Sequence, residues 1–351
     1  MRSKHLGAPA LPPALASQIP ACPRFGLTGK RLAFAALALT ALVSTRAVCA
    51  PAAPAVNTDT PIWRATHGLV LGVARAGTRI VAVGDRSHVL LSDDEGLTWR
   101  LGNVPSDLLL TAVVFTSASE GYAVGQDELL LHTTDAGETW TQEHLAKDSD
   151  QALFSVIAVG PNHIFASGAY NVTVETTDGT TWKDGKLPDL DDDYHLNCAA
   201  ARGNDILVTG ESGHAFIRYA GAWTPVKLPY DGSQFACLVG ADGSFYSFGL
   251  RGTAFRILPG ATNWTKIDLG TAHSIFGAAK LADGRFALVG SNGFAQLLDP
   301  VSGKVVTLNA GTEETLSGVM EGQPGKIIAV GDDGVHIIDT ADAATTAGAG
   351  Q

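Results

Sequence analysis

The chain has 351 residues, 45% of them hydrophobic and 17% charged, with 40 glycines and a net charge of −11. That apolar content supplies a sizeable core, and the glycine content points to many tight turns between short strands. The acidic balance argues against nucleic acid or an anionic lipid surface as the main partner.

In chain order, the first segment reads as an export signal. Lys30-Arg31 precede the apolar run Leu32 to Val43, and small residues follow near Val48-Cys49-Ala50. This charged, apolar, small-residue order is that of a secretory signal peptide. The run is too short for a permanent membrane helix. Residues 1–50 are therefore expected to be removed, with cleavage near Ala50 or Ala52, and residues 51–60 to form a linker. Arg46-Ala47-Val48 before Cys49 is a poor match to a lipoprotein signal. The stretch before Lys30 is long for such a signal, which points to a start downstream of Met1. Removal takes away six basic residues and no acidic ones, leaving 18 basic against 35 acidic residues, a balance of −17.

From residue 61 the chain repeats. A short apolar run ends in glycine seven times, at Gly84, Gly125, Gly168, Gly210, Gly249, Gly290 and Gly331, with gaps of 41, 43, 42, 39, 41 and 41 residues. A period near 40 built from strand-like units is how a β-propeller reads in sequence, one blade per period. The repeat overrides the two domains that length alone suggests and predicts an all-β, seven-bladed β-propeller over residues 61–340. The second repeat is clearest. Leu109 to Phe115 reads as the inner strand, Tyr122 to Val124 as the second, Leu129 to His132 as the third, and Trp140 to Glu143 as the outer strand. The alternation and turn chemistry fit four antiparallel strands.

A tryptophan recurs about 15 residues after the blade glycine, as Trp99, Trp140, Trp182, Trp223 and Trp264; blade six has Val305 there. Blade seven lacks an outer strand: after Val335 to Asp339 the chain runs into small residues, with a tail expected over 341–351. Trp63, in Pro61-Ile62-Trp63-Arg64, lies before the first inner strand, Gly68 to Arg75. It predicts an N-terminal strand that completes blade seven, which would close the ring and remove an exposed sheet edge.

Three blades share a turn before the outer strand. Ser92 to Trp99 has the order Ser/Thr-x-Asp-x-Gly-x-Thr-Trp, Thr133 to Trp140 repeats it, and Thr176 to Trp182 is one residue shorter. The Asp carboxylate can accept hydrogen bonds from turn amides, Gly permits positive φ, and Trp packs between sheets. Asp94, Gly96, Trp99, Asp135, Gly137, Trp140, Asp178 and Trp182 are thus read as structural rather than catalytic. Asp242-Gly243 and Asp283-Gly284 are read as hairpin turns in another loop.

This turn resembles the Asp-box, or BNR repeat. With the signal segment and seven periods, the chain resembles the Ycf48/Hcf136 family, exported propellers related to photosystem II assembly factors. The resemblance runs roughly from Pro61 to Asp339 and is best at Gly84 to Trp99 and Gly125 to Trp140. It implies a non-enzymatic assembly scaffold that holds a newly made membrane protein on the exported side, in the periplasm or, in a photosynthetic source, the thylakoid lumen. In photosynthetic members that client is the D1 reaction-centre protein. Members associated with D1 carry a basic, arginine-rich patch, and the acidic body here departs from that. Two other readings are an accessory subunit of a cell-envelope transporter complex and a glycosidase of sialidase type.

Site residues follow from position. Arg86 and Arg251 each fall two residues after their blade glycine, on the rim of the same mouth. They are candidates for binding a carboxylate-bearing client segment, set against an ordinary role as solvated turn residues. Cys198 and Cys237 each sit 12 residues before their glycine, at what counts as equivalent positions of neighbouring inner strands. They are read either as small buried residues or as a disulfide suited to an exported protein. Lys183 to His195 reads as the longest inter-blade loop, and its Asp189, Asp191, Asp192 and Asp193 lack EF-hand spacing, so the run is read as solvated. Tyr122 and Tyr246 lie in second-strand runs and read as packing. With no converging arginine set, metal-spaced histidines, Gly-x-Ser-x-Gly or phosphate loop, no catalytic, cofactor or metal site is expected.

Overall fold

The computed structural model describes residues 61–146, 150–188, 190 and 194–340. The expected signal peptide, linker and tail, and Asp189, Asp191, Asp192 and Asp193, lie outside the described residues.

Seven antiparallel sheets follow one another along the chain. Blade 1 holds β1 (Val70–Ala76), β2 (Arg79–Gly84), β3 (Val89–Ser92) and β4 (Arg100–Leu101). Blade 2 holds β5 (Leu110–Phe115), β6 (Gly121–Gly125), β7 (Leu130–Thr133) and β8 (Thr141–His144). Blade 3 holds β9 (Leu153–Gly160), β10 (His163–Gly168), β11 (Val172–Thr176) and β12 (Lys183–Lys186). Blade 4 holds β13 (Leu196–Arg202), β14 (Asp205–Gly210), β15 (Ala215–Tyr219) and β16 (Ala222–Pro225). Blade 5 holds β17 (Gln234–Val239), β18 (Phe245–Gly249), β19 (Ala254–Ile257) and β20 (Thr265–Ile267). Blade 6 holds β21 (Ile275–Lys280), β22 (Phe286–Gly290), β23 (Ala295–Leu298) and β24 (Val305–Thr307). Blade 7 holds β25 (Leu316–Glu321), β26 (Lys326–Gly331) and β27 (Gly334–Asp339). The chain is an all-β, seven-bladed propeller.

The second strand of each blade is buried on both faces because a neighbouring blade covers each side. Ile80 to Val83 and Ala287 to Val289 are wholly buried, and such strands read as continuous apolar runs. The outer strands face water and carry little pattern. Lys183–Lys186 is an exposed strand paired with β11, so it is the edge of blade 3 and not the start of a loop. Backbone pairing, not side-chain periodicity, makes it a strand.

The recurring glycine has one physical cause. At all seven positions a Cβ would fall on the carbonyl oxygen of the residue that leads into the innermost strand of the same blade: Leu69, Leu109, Ala152, His195, Ser233, Ser274 and Thr315. That carbonyl accepts the amide just after the glycine, as in Asp85 N to Leu69 O (3.0 Å) and Ser291 N to Ser274 O (2.9 Å). The backbone at these glycines is extended (φ −171° at Gly84, −176° at Gly290), so close approach and not conformation demands them.

Ring closure differs from the expectation. Pro61–Thr66 is a helical turn, α1, and not a strand. Among the described residues blade 7 keeps three strands, and Trp63 does not pair with it. Proline suits a first helical position, the Thr66 hydroxyl donates to Ile62 O (3.0 Å), and Trp63 stacks on His67 with ring centroids 4.5 Å apart. The path explains the difference. To reach the innermost strand of blade 1, the chain crosses the Asp332–Gly334 turn, where the Thr66 carbonyl occupies the space of a missing Cβ at Gly334 (φ 85°). This is the place that inter-blade connections take over the corresponding glycines Gly213, Gly252 and Gly293. Ala65 and Val70 then pack with Ala82 and Leu90 of blade 1 and Val330 of blade 7. The first and last blades join by side-by-side packing.

Candidate functional site on the turn face

The turns between second and third strands and the inter-blade connections share one face of the ring. Six of these turns place two successive residues in the left-handed region, the first of each pair being Arg86, Asp127, Tyr170, Ser212, Arg251 and Asn292, with φ between 52° and 57°. That conformation turns the side chain out to solvent at Arg86, Tyr170, Arg251 and Asn292. Arg86 has Asp85 at 3.6 Å. No carboxylate lies within ion-pairing distance of Arg251 among the described residues. Blades 1 and 5 are well separated around the ring, so the two arginines bracket the mouth instead of forming one clamp.

Inside this rim, a bulge between the first two strands of each blade releases one residue toward the central channel. These residues include Phe154, Asn197, Phe235 and Phe276, all half-buried in the channel wall. Phe235 and Phe276 touch at 5.1 Å, and Phe154 meets His195 (5.9 Å), which meets Tyr170 (4.9 Å). An aromatic path therefore runs from the rim into the channel. Sequence reading missed it, because the bulge that turns these rings inward leaves no spacing signal.

Several other arginines staple blade to blade on the opposite face, while Arg256 and Arg285 pair with Asp242 and Asp283 of their own blades. Arg79 pairs with Glu138 (2.8 Å), joining blades 1 and 2. Arg218 grips Glu175 with two bonds (2.8 and 2.9 Å), joining blades 4 and 3. Arg202 donates to Gly243 O (2.5 Å), joining 4 and 5, and Arg75 to Glu321 O (3.2 Å), joining 1 and 7. Bidentate arginine geometry makes such links directional. Many of the scattered arginines are thus occupied by structure, and Arg86 and Arg251 stand exposed on the turn face, with Arg64 also exposed beside Arg86.

The Asp-boxes are turn scaffolds by geometry. Asp94 accepts from the Thr98 amide (2.8 Å) and hydroxyl (2.5 Å), and these bonds hold its carboxyl below the usual range. At Asp135 burial pushes the carboxyl up, but bonds from the Thr139 hydroxyl (2.6 Å) and amide (2.9 Å) outweigh it and the net shift is downward. At Asp178 the amides of Thr181 (2.7 Å) and Thr180 (2.8 Å) hold the acid well below its ordinary value. Gly96, Gly137 and Gly179 take positive φ at 87°, 86° and 76°. The indoles of Trp99 and Trp140 each donate to the box glycine's carbonyl at 3.0 Å. In the shorter box the buried Trp182 N–H has no partner among the described residues.

A pH dependence follows. Carboxyls depressed in the folded state contribute stability above their unfolded pKa near 4, and lose it as pH falls through the folded value. The melting midpoint is expected to decline gently below about pH 6.5, where protonation works against His88 and His336, whose burial lowers their pKa in the folded state, and to drop further below about pH 4. Equal midpoints at pH 7 and about pH 3.5 would contradict this linkage.

Cys198 and Cys237 are bridged across neighbouring innermost strands, with Cα atoms 6.0 Å apart. They are not equivalent positions, however. Cys198 pairs with Thr209, one before its glycine, and Cys237 with Ser247, two before. Equal spacing concealed this because the blade 5 hairpin turn is longer (240–244) than that of blade 4 (203–204). Tyr122 is buried, which with the charge of Glu120 pushes its phenol up to about 12, and burial raises Tyr246 as well. Both pack in the cores expected for them.

Residues 73–162, spanning blades 1 and 2 and the start of blade 3, match the family described as Photosynthesis system II assembly factor YCF48. Over this stretch the chain is similar to the Ycf48/Hcf136 family. It is 27% identical over 173 residues to the photosystem II stability/assembly factor HCF136, chloroplastic, of Oryza sativa subsp. japonica. That stretch is 47% of this chain and 38% of the rice protein, so the chain matches under half of its curated relative. A solved YCF48 bound to D1 peptide superposes with a TM-score of 0.64 at 17% identity, over 78% of this chain and 94% of that one. A streptogramin B lyase superposes with a TM-score of 0.67 at 13% identity, over 78% and 94%. These structural likenesses establish the propeller. The same scaffold carries both binding and chemistry, so function rests on the site.

Proposed function

We propose that the chain is an exported, non-enzymatic binding scaffold of the assembly-factor type, holding a protein client on the turn face. The sequence match of residues 73–162 to the YCF48 family carries this reading. The turn face supports it with exposed Arg86, Arg251 and Tyr170 around the half-buried Phe154, Phe235 and Phe276. Aromatic anchors within a charged rim suit a peptide that bears both an apolar side chain and a carboxylate. The client is the exported side of a membrane protein. No helix among the described residues is long and apolar enough to cross a membrane. In this reading residues 1–50 direct export to the periplasm, or to the thylakoid lumen of a photosynthetic source, where the Cys198–Cys237 bridge would persist.

The test is cross-linked capture of clients from solubilised membranes by wild type and by an Arg86→Ala/Arg251→Ala variant. We expect about a tenfold loss of the specifically cross-linked client in the variant. Undiminished capture, or cross-links only to the opposite face, would remove the turn face from the reading.

A further inference from the structure

Glu128, His144 and Asp184 come from three strand ends or turns distant in sequence and meet at the junction of blades 2 and 3. Among the described residues they form a group whose donor atoms all lie within 4.8 Å of one another. His144 Nε2 is 3.5 Å from Asp184 Oδ1 and 3.9 Å from Glu128 Oε2. It is buried and makes no hydrogen bond among the described residues. The separations are too long for hydrogen bonds, whose nitrogen–oxygen distances centre near 2.9 Å. They are close to what a shared metal requires: bonds of about 2.0–2.1 Å at tetrahedral angles put ligand atoms roughly 3.4 Å apart.

The turn context singles out Glu128. It follows Asp127 in the turn, and its counterparts in the other blades are Ser87, Asn171, Gly213, Gly252, Gly293 and Gly334. Those counterparts serve the incoming backbone. Ser87 Oγ donates to Leu108 O (2.7 Å), Asn171 bonds Leu187 and Leu190, and the glycines leave room for a carbonyl. Blade 2 alone places a carboxylate there, with its side chain only 9% exposed and itself in the left-handed region at φ 56°. Asp184, 68% exposed, reaches in from β12 of the next blade. No arginine bond crosses this junction among the described residues, unlike the junctions joined by Arg79, Arg218, Arg202 and Arg75.

We propose that Glu128, His144 and Asp184 form a divalent-metal site that fastens blade 2 to blade 3, with zinc as the fitting ion. One imidazole nitrogen and two carboxylate oxygens are borderline donors that suit zinc, with water filling the fourth position. The site would be structural, because its ligands come from the outer parts of two blades and lie away from the channel mouth.

The test is zinc titration of the chelator-stripped chain by calorimetry, together with melting curves with and without zinc. One tight site is expected, with a rise in melting midpoint of about 3–6 °C at saturation. His144→Asn and Asp184→Asn are each expected to weaken that site at least tenfold and to abolish the rise. Asp184 is largely exposed, so its variant folds even if the His144 variant does not. Absence of a zinc-dependent rise, or affinity unchanged in Asp184→Asn, would overturn the proposal.

Discussion

Replacing Gly290 with alanine is expected to destabilise the propeller by about 3 kcal/mol or more. The added methyl would occupy the position of the Ser274 carbonyl oxygen, which is backbone and cannot rotate away. The lead into β21 must move outward, breaking the Ser291 N to Ser274 O bond (2.9 Å) and loosening Ile275, which is fully buried. Overpacking of this kind costs about 1–3 kcal/mol, and a buried amide left without its acceptor adds about 1–3 kcal/mol. Gly260→Ala is the control. Its φ of +74° carries strain of about 1 kcal/mol, but nothing lies within 4 Å of the new methyl. Urea denaturation of both variants measures the contrast, and equal midpoints would refute the close-approach account of the repeat.

Replacing Trp140 with alanine is expected to cost about 3–5 kcal/mol. The indole is 4% exposed and sits among Val81 and Leu91 of blade 1 and Leu131 of blade 2, edge-on to Phe115 at 6.4 Å. Its removal opens a cavity between two blades and leaves the Gly137 carbonyl without the indole bond. Trp182 is the informative comparison, since its box is one residue short and its N–H is unpartnered among the described residues. Trp140→Phe should therefore cost about 1 kcal/mol more than Trp182→Phe, the worth of one hydrogen bond. Equal costs would show that the indole N–H contributes nothing to the box.

Much of the architecture was legible in the chain. Blade number and spacing follow from Gly84 to Gly331, because one steric requirement recurs in every blade. The Asp-boxes were legible because their hydrogen bonds join residues two to four apart, as Asp94 to Thr98 does. Arg86 and Arg251 lie in the turns after Gly84 and Gly249, a position readable from their distance to the blade glycine. Features that depend on how separate segments meet were not legible. The segment around Trp63 has strand-compatible residues, yet its place over the Gly334 turn makes it helical. Cys198 and Cys237 share a spacing but not a register, because hairpin length does not show in a count to the glycine. Lys183–Lys186 has no apolar alternation and becomes a strand only by pairing with β11.

The same division holds for function. Local sequence determined the repeated strand-and-turn unit, its glycines and its boxes, since each depends on contacts made within one blade. Only the closed ring decided that several arginines are spent between blades, that Phe154, Phe235 and Phe276 line one mouth, and that Glu128, His144 and Asp184 converge at one junction. Residues tens of positions apart become neighbours through sheet packing, and no spacing along the chain records that distance.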